Sequence, residues 1–476
     1  MRLFSEAASR LCATASLLGA LNCLVAADKT NINERISFAL NLDTNNVSFI
    51  DLPTVLRLAG AQNLDIQIAR QRLAEARANR ESALWQFFPS ITPGVSYRRH
   101  DNLLQDVAGN IIPVHKESYT VGPSLAGQLE LGDAIYKNLA SRQLVKAADY
   151  AVESQRQEAI LAAAQGYFDL SKAQASVSVA REAFRISTNY SEQIQQAVSA
   201  GVAFKGDLLR VQVQSERNLL TLRQAREQQR VAAARLAQTL RLDSTIDLFS
   251  HDDGAIPISL VDANASLGTL VAQAMSSRPE FKESRALTEA ARQARKGARY
   301  GPIIPSIGAQ IFVGGLGGGR DGAPGTFGES EDYLLTLGWR IGPGGLFDRG
   351  RIHATEARYQ LTGLNRAKLV DEVTRQVVES QTHAQSQADQ MATARRAIQS
   401  AEETLSLTQA RKEFAVGAVL ETIQAEQDLT RARLDYLNAL AEYNKAEYAL
   451  QKAIGGLSSG DASAKLKTKE TEGAPD

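Results

Sequence analysis

Phe88-Pro89-Ser90-Ile91 returns 216 positions later as Ile304-Pro305-Ser306-Ile307. Two further anchors keep that offset. Asn63-Leu64-Asp65-Ile66 lines up with Pro279-Glu280-Phe281-Lys282, and Gly201 with Gly417. Three matches at one spacing define an internal duplication, so the chain reads as two similar units packed as pseudo-equivalents.

After each Pro-Ser-Ile the pattern has period two. Ile307, Ala309, Ile311 and Val313 alternate with Ser306, Gly308, Gln310 and Phe312. Tyr333, Leu335, Leu337, Trp339 and Ile341 alternate with Leu334, Thr336, Gly338 and Arg340. In the first half, Tyr119, Val121, Pro123, Leu125, Leu129 and Leu131 alternate with a mostly polar set. Strands of about 10 residues, apolar on one face and polar on the other, suit a membrane barrel with a wet lumen. A soluble, half-buried antiparallel sheet gives the same alternation. The strands form two hairpins, with loops expected at 101–118 and 314–332. The second loop is Gly-rich but lacks Gly-Lys-Ser/Thr and G-x-G-x-x-G, so it reads as a surface loop and not a phosphate cradle.

Proline is absent between Pro123 and Pro257 and between Pro343 and Pro475. An interior proline costs a helix about 3 kcal/mol, so both stretches permit very long helices. They are rich in the helix formers Ala, Gln, Glu, Arg and Leu. Leu434, Leu437, Ala441 and Tyr448 form one coiled-coil stripe, and Tyr436, Leu440, Tyr443 and Leu450 a second. Two stripes on one helix predict neighbours on two sides, as in a cylinder wall. Each stretch is broken once, at 199–206 and at Val416-Gly417-Ala418, and each break reads as the tip of a helical hairpin. For the second break a straight continuous helix is the alternative. The arm 133–199 would be about 100 Å long at 1.5 Å per residue.

The N-terminus carries Arg2 and Arg10, an apolar run over 11–26 and small residues at Val25-Ala26-Ala27. That order predicts a secretory leader. Cys12 and Cys23 both lie inside it, so the mature chain has no disulfide framework or cysteine site. Lipidation of Cys23 is the alternative fate, although Asn22 stands where a small residue is usual. No later stretch is a transmembrane helix, so membrane insertion requires a closed barrel. Four strands cannot close around a lumen. Three copies give 12 strands and 12 helical arms around one axis. Lys plus Arg and Asp plus Glu both number 53, so no basic field points to nucleic acid.

These features together resemble the TolC-like outer-membrane efflux proteins over nearly the whole mature length. The resemblance rests on the duplicated Pro-Ser-Ile, on Leu346-Phe347-Asp348-Arg349-Gly350, and on the two tips. The tips read Ala200-Gly201-Val202-Ala203 through Asp207-Leu208-Leu209 and Phe414-Ala415-Val416-Gly417 through Glu421-Thr422-Ile423-Gln424-Ala425. Leu429-Thr430-Arg431-Ala432-Arg433-Leu434-Asp435-Tyr436 adds to it. It implies a mainly α protein with a membrane β-barrel. Each protomer would give four strands and long antiparallel helical hairpins, and a homotrimer would form a 12-stranded barrel on an α-helical barrel. It also implies an outer-membrane channel of a tripartite efflux or type I secretion system, passively conducting what an inner-membrane transporter delivers through a periplasmic adaptor (membrane fusion protein).

By the same resemblance, Gly201, Val202, Asp207, Leu209, Gly417, Ala418 and Glu421 would dock the adaptor. Glu421, with Gln424 where a second acid is common, would line a periplasmic constriction. Leu335, Leu337, Trp339 and Ile341 would face outer-membrane lipid. The implied organisation is a signal peptide (1–27), an N-terminal extension (28–50), a first repeat (51–242), an equatorial linker (243–266), a second repeat (267–454) and a disordered polar tail (455–476). A periplasmic coiled-coil adaptor or scaffold without a pore is the competing reading. Such proteins usually carry one hairpin between lipoyl-like and barrel domains.

No catalytic, cofactor or metal site is expected. His100, His115, His251, His353 and His383 show no metal-ligand spacing, G-x-S-x-G is absent, and Asp252-Asp253 reads as a solvated turn in the linker.

Overall fold

The computed structural model describes residues 47–88, 90–251, 256–262, 264–320, 325–413 and 419–457. The leader with Cys12 and Cys23, Asp252-Asp253, and the second tip with Gly417 and Ala418 lie outside the described residues.

The first half comprises β1 (Val47–Ile50), α1 (Leu52–Gln62), α2 (Leu64–Trp85), β2 (Ser90–His100), β3 (Leu103–Gln105), β4 (Ile111–Pro113), β5 (Lys116–Leu129), α3 (Leu131–Ser199) and α4 (Lys205–Leu240). Then β6 (Asp247–Ser250) leads to α5 (Leu267–Ser277), α6 (Pro279–Tyr300), β7 (Ser306–Arg320), β8 (Phe327–Gly338), α7 (Arg349–Glu413) and α8 (Val419–Ala453). The duplication is literal: α1 and α5 have 11 residues each, and α2 and α6 have 22 each.

One anchor shifts by a residue. Leu64 and Pro279 are the equivalent helix starts, which aligns buried Ile66 with Phe281 and buried Ala83 with Ala298. The additional residue of the second half is taken up after α6 by the 3-10 turn Gly301–Ile303, which restores the offset at Ser306.

The four long strands form one antiparallel sheet in the order β2-β5-β7-β8, and among the described residues β2 and β8 each pair along one edge only. Register places Tyr97, Tyr119, Gly317 and Phe327 in one row, and Leu129, Ile307 and Leu337 in another. Directly paired residues share a face, so the separate alternations merge into one apolar face. The other face carries Ser96, Thr120, Gln128, Gln310 and Thr336, with Ser96 Oγ 2.6 Å from Thr120 Oγ1. The apolar face is not covered as in a soluble sheet: Leu335 is 78% exposed and Val95 75%.

Three expectations about the strands are corrected. The glycine run begins no loop, because Gly314, Gly315, Gly317, Gly318 and Gly319 pair within β7. The Tyr119 and Phe327 rings stack 6.0 Å apart, and a Cβ at Gly317 would lie 2.2 Å from Tyr119 while one at Gly315 would lie 2.1 Å from Phe327. Second, Trp339 and Ile341 lie beyond the end of β8 at Gly338. The chain turns there, with Trp339 Nε1 donating to the Ile303 carbonyl at 3.0 Å and Ile341 bridged to Leu346. Third, Leu131 opens α3 and does not close β5, and the first loop contains the β3-β4 hairpin.

Charged contacts fix sheet to helices. Asp348 caps α7, its Oδ1 accepting the Arg351 amide at 2.9 Å. Those amide bonds hold its carboxyl below the usual carboxylate range. Arg351 reaches Asp133 at 2.6 Å, and Arg340 pairs with Glu130. Gly132 admits the Gly301 carbonyl, which a Cβ would meet at 2.0 Å.

Below the sheet, α3 runs unbroken for 69 residues, about 100 Å. It packs on α4, and α7 packs on α8; α3 and α8 join the two hairpins. The last residues of the two stripes of α8 enter different cores. Tyr448 lies among first-half residues such as Leu56, Phe168 and Leu236, whereas Leu450 lies with Leu270, Phe281 and Val377. The linker is tied to the same helix. Asn444 Oδ1 accepts the Ile258 amide at 2.8 Å, and Glu447 Oε2 accepts those of Leu260 and Val261 at 2.8 and 3.2 Å. The extension and the linker each hold a short strand, β1 and β6, which pair in parallel. Leu457, expected in the disordered tail, is buried in the first core. Among the described residues, no helix is long and apolar enough to cross a membrane.

Candidate functional site at the hairpin tips

The first tip is a glycine-terminated helix end. The Val202 amide bonds to the Ala197 carbonyl at 2.9 Å and the Gly201 amide to Val198 at 3.0 Å. This Schellman closure needs a left-handed residue, and Gly201 supplies it at φ 74°. Val202 and Phe204 project into solvent beyond it. The Phe204 ring folds over Gly206, where a Cβ would lie 2.4 Å away. Asp207 sits in the first turn of α4 and pairs with Arg210 at 3.1 Å.

Leu208 turns inward with Tyr190, Ile194 and Val211, and Ile423 of the second hairpin completes that cluster. Burial pushes the Tyr190 hydroxyl up. Gln427 Nε2 donates to Gln214 Oε1 at 2.5 Å just above it. The two hairpins therefore pack side by side at this level. Leu209 instead faces outward and opens an exposed apolar stripe with Val213 and Leu220.

On the second hairpin, Glu421 and Gln424 are one turn apart on the exposed side of α8, while Thr422 and Ile423 between them are buried. The structure adds a residue that the sequence reading missed. Arg411 of α7 reaches Glu421 Oε2 at 3.3 Å, with both side chains about half exposed.

Leu335 and Leu337 share the exposed apolar face of β8, at the opposite end of the helices from the tips. Among the described residues, no three His, Cys, Asp or Glu side chains group as a metal site.

Two helical hairpins, each with one arm of about 100 Å, bearing an open, apolar-faced sheet make the architecture of an outer-membrane export channel. The sequence profile of the outer membrane efflux proteins matches residues 55–240 and 270–456, once on each half. The chain belongs to that family.

Solved structures agree in fold. A membrane protein from Pseudomonas aeruginosa is 18% identical with a TM-score of 0.72, over 85% of this chain and 93% of that one. The Campylobacter jejuni CmeC outer membrane channel is 17% identical at TM-score 0.71, over 88% and 89%. The open state of the Neisseria gonorrhoeae MtrE outer membrane channel is 17% identical at TM-score 0.66, over 85% and 89%. No curated protein sequence matches. As a member of this family the chain is the outer-membrane channel subunit of an efflux system, with a long periplasmic helical part.

Proposed function

We propose that three copies close one 12-stranded barrel continuous with a 12-helix cylinder, forming a passive duct. An inner-membrane transporter would load it through a periplasmic adaptor, for efflux or type I secretion. The observation that carries this reading is the open sheet. Its apolar face is exposed and, among the described residues, both its edges are free, and in lipid each unpaired backbone group costs several kcal/mol. Neighbouring copies would satisfy those edges. The helical wall offers apolar margins, with Val213 and Leu220 exposed on α4 and Leu361, Leu364 and Leu407 on α7. Tyr119 to Leu129 covers about 33 Å of strand, or about 25 Å of membrane at a 40° tilt.

In this reading Leu335 and Leu337 meet lipid, and Trp339 and Ile341 anchor its periplasmic boundary. Gly201, Val202, Asp207, Leu209, Gly417, Ala418 and Glu421 offer the adaptor its docking surface. Glu421 and Gln424 ring the periplasmic opening, with Arg411 tempering the charge. The chain itself catalyses nothing.

Planar-bilayer recording tests the duct. Stable ion conductance is expected, and a protein that inserts without conducting would contradict it. Tyr333→Arg, midway along β8 on the apolar face, should impair insertion by about 2–4 kcal/mol. Thr336→Arg, on the polar face, should insert normally. Equal effects would sink the assignment of faces.

A further inference from the structure

The two free edges of the sheet carry opposite charge at the same end. On β2, Arg98 and Arg99 stand next to the last residue, His100, and both are exposed. On β8, Glu329, Glu331 and Asp332 stand near the first residue, Phe327, and all three are exposed. In this antiparallel sheet the end of β2 and the start of β8 are the same end.

The charges also match face by face. Pairing runs Arg99 to Glu117 to Gly319, which places Arg99 on the apolar face with Tyr97 and Tyr119. Glu329 and Glu331 pair with Gly315 and Val313 on that same face. Arg98 pairs with Ser118 and Asp332 with Phe312, so these two share the polar face. Each face thus has cation on one edge and anion on the other.

We propose that this charge pattern selects head-to-tail joining, with β8 of one copy pairing with β2 of the next. A sheet edge by itself does not choose its partner. Joining β2 to β2 or β8 to β8 with the apolar face kept on one side runs the two copies antiparallel and leaves each charged end beside the other copy's uncharged end, whereas β8 to β2 brings opposite charges to the same end on both faces. Head-to-tail contacts can close a ring; like-to-like contacts stop at a pair. Arg99 already contacts Asp101 at 2.8 Å and Glu117 at 3.7 Å, so Arg98 is the freer cation toward a neighbour. The proposal rests on the trimeric reading and adds what chooses the seam.

The test is charge reversal with rescue, on the full chain in detergent. Arg98→Glu with Arg99→Glu should lower the yield of trimer by about tenfold or more, and so should Glu329→Lys, Glu331→Lys and Asp332→Lys together. All five changes in one chain restore opposite edges and should recover trimer to within about twofold of the original. Helical circular dichroism on each sample separates a lost seam from a misfolded chain. Recovery in the five-fold variant supports the device. Failure to recover, or unaffected trimer in both partial reversals, overturns it while leaving the duct intact. An unaltered chain that runs as a dimer or monomer would instead overturn the trimeric reading.

Discussion

Asn63 and Arg278 hold the same position in the two halves, the cap of a 22-residue helix, by different chemistry. Asn63 accepts the Asp65 amide at 2.8 Å and donates to the Thr239 carbonyl at 3.4 Å. In the second half Pro279 begins the helix and brings no amide of its own to the first turn, and no side chain caps that end. The buried Arg278 instead pairs with Glu280 at 3.0 Å and donates to Gln376 at 2.8 Å. Asp65 and Glu280 are the equivalent acids of the first turn, favoured there by the helix dipole. The contrast teaches that duplication preserved backbone lengths and core positions, while the polar means of fixing each helix start diverged.

Removing Arg278 should break the comparison most. Arg278→Ala leaves Glu280 without its cation and should cost about 3 kcal/mol or more in chemical denaturation. Burial raises Glu280, but the Arg278 hydrogen bond and charge outweigh it, so its carboxyl ends below the ordinary 4.5. A depressed acid contributes stability that is present above its unfolded value and is lost as pH falls through the folded one. Stability should therefore drop below about pH 4.5 in the original chain and drop less in Arg278→Ala. Glu283, pushed up by burial and by the Glu280 charge, works in the opposite sense and shallows the slope. Identical slopes in the two proteins would contradict the pairing.

Asn63→Ala should cost less, about 1 kcal/mol, because it removes a cap and strands no charge. A loss equal to that of Arg278→Ala would erase the distinction between the halves. The helix exits offer a smaller effect of opposite sign. α4 ends on Arg241 at φ 57° and α8 on Gly455 at φ 76°, and in each case the next amide bonds back five residues, Leu242 to Ala237 and Gly456 to Gln451. Arg241→Gly relieves a left-handed side chain and should raise the melting temperature by an amount corresponding to up to about 1 kcal/mol. A lower melting temperature would mean that the Arg241 side chain has a role beyond its backbone. Smallest in stability, and visible only in conduction, are the tips. Glu421→Ala should weaken cation preference in reversal-potential measurements, and Arg411→Ala should strengthen it. Unchanged selectivity in both would remove the pair from the constriction.

Much of this was legible in the sequence because it is periodic. The Pro-Ser-Ile repeat, the proline-free stretches and the two stripes of α8 each state a local geometry, and the last residues of the stripes do enter two separate cores. What escaped depends on distant partners. The glycines of β7 favour a loop by composition, and only the rings of Tyr119 and Phe327 explain them as strand. The four-residue β1 and β6 pair across 200 positions, with no local signal to announce either. At the tips, the turn at Gly201 and the shared face of Glu421 and Gln424 followed from spacing. Arg411 required knowing which residues of α7 and α8 face each other.

The most direct test of the central claim is the native mass of the protein extracted from the outer membrane in detergent. Three copies in one particle, with none smaller until the detergent or heat unfolds it, is the expected result. A monomer that stays folded and inserted in lipid would show that four strands seal themselves, and would contradict the duct.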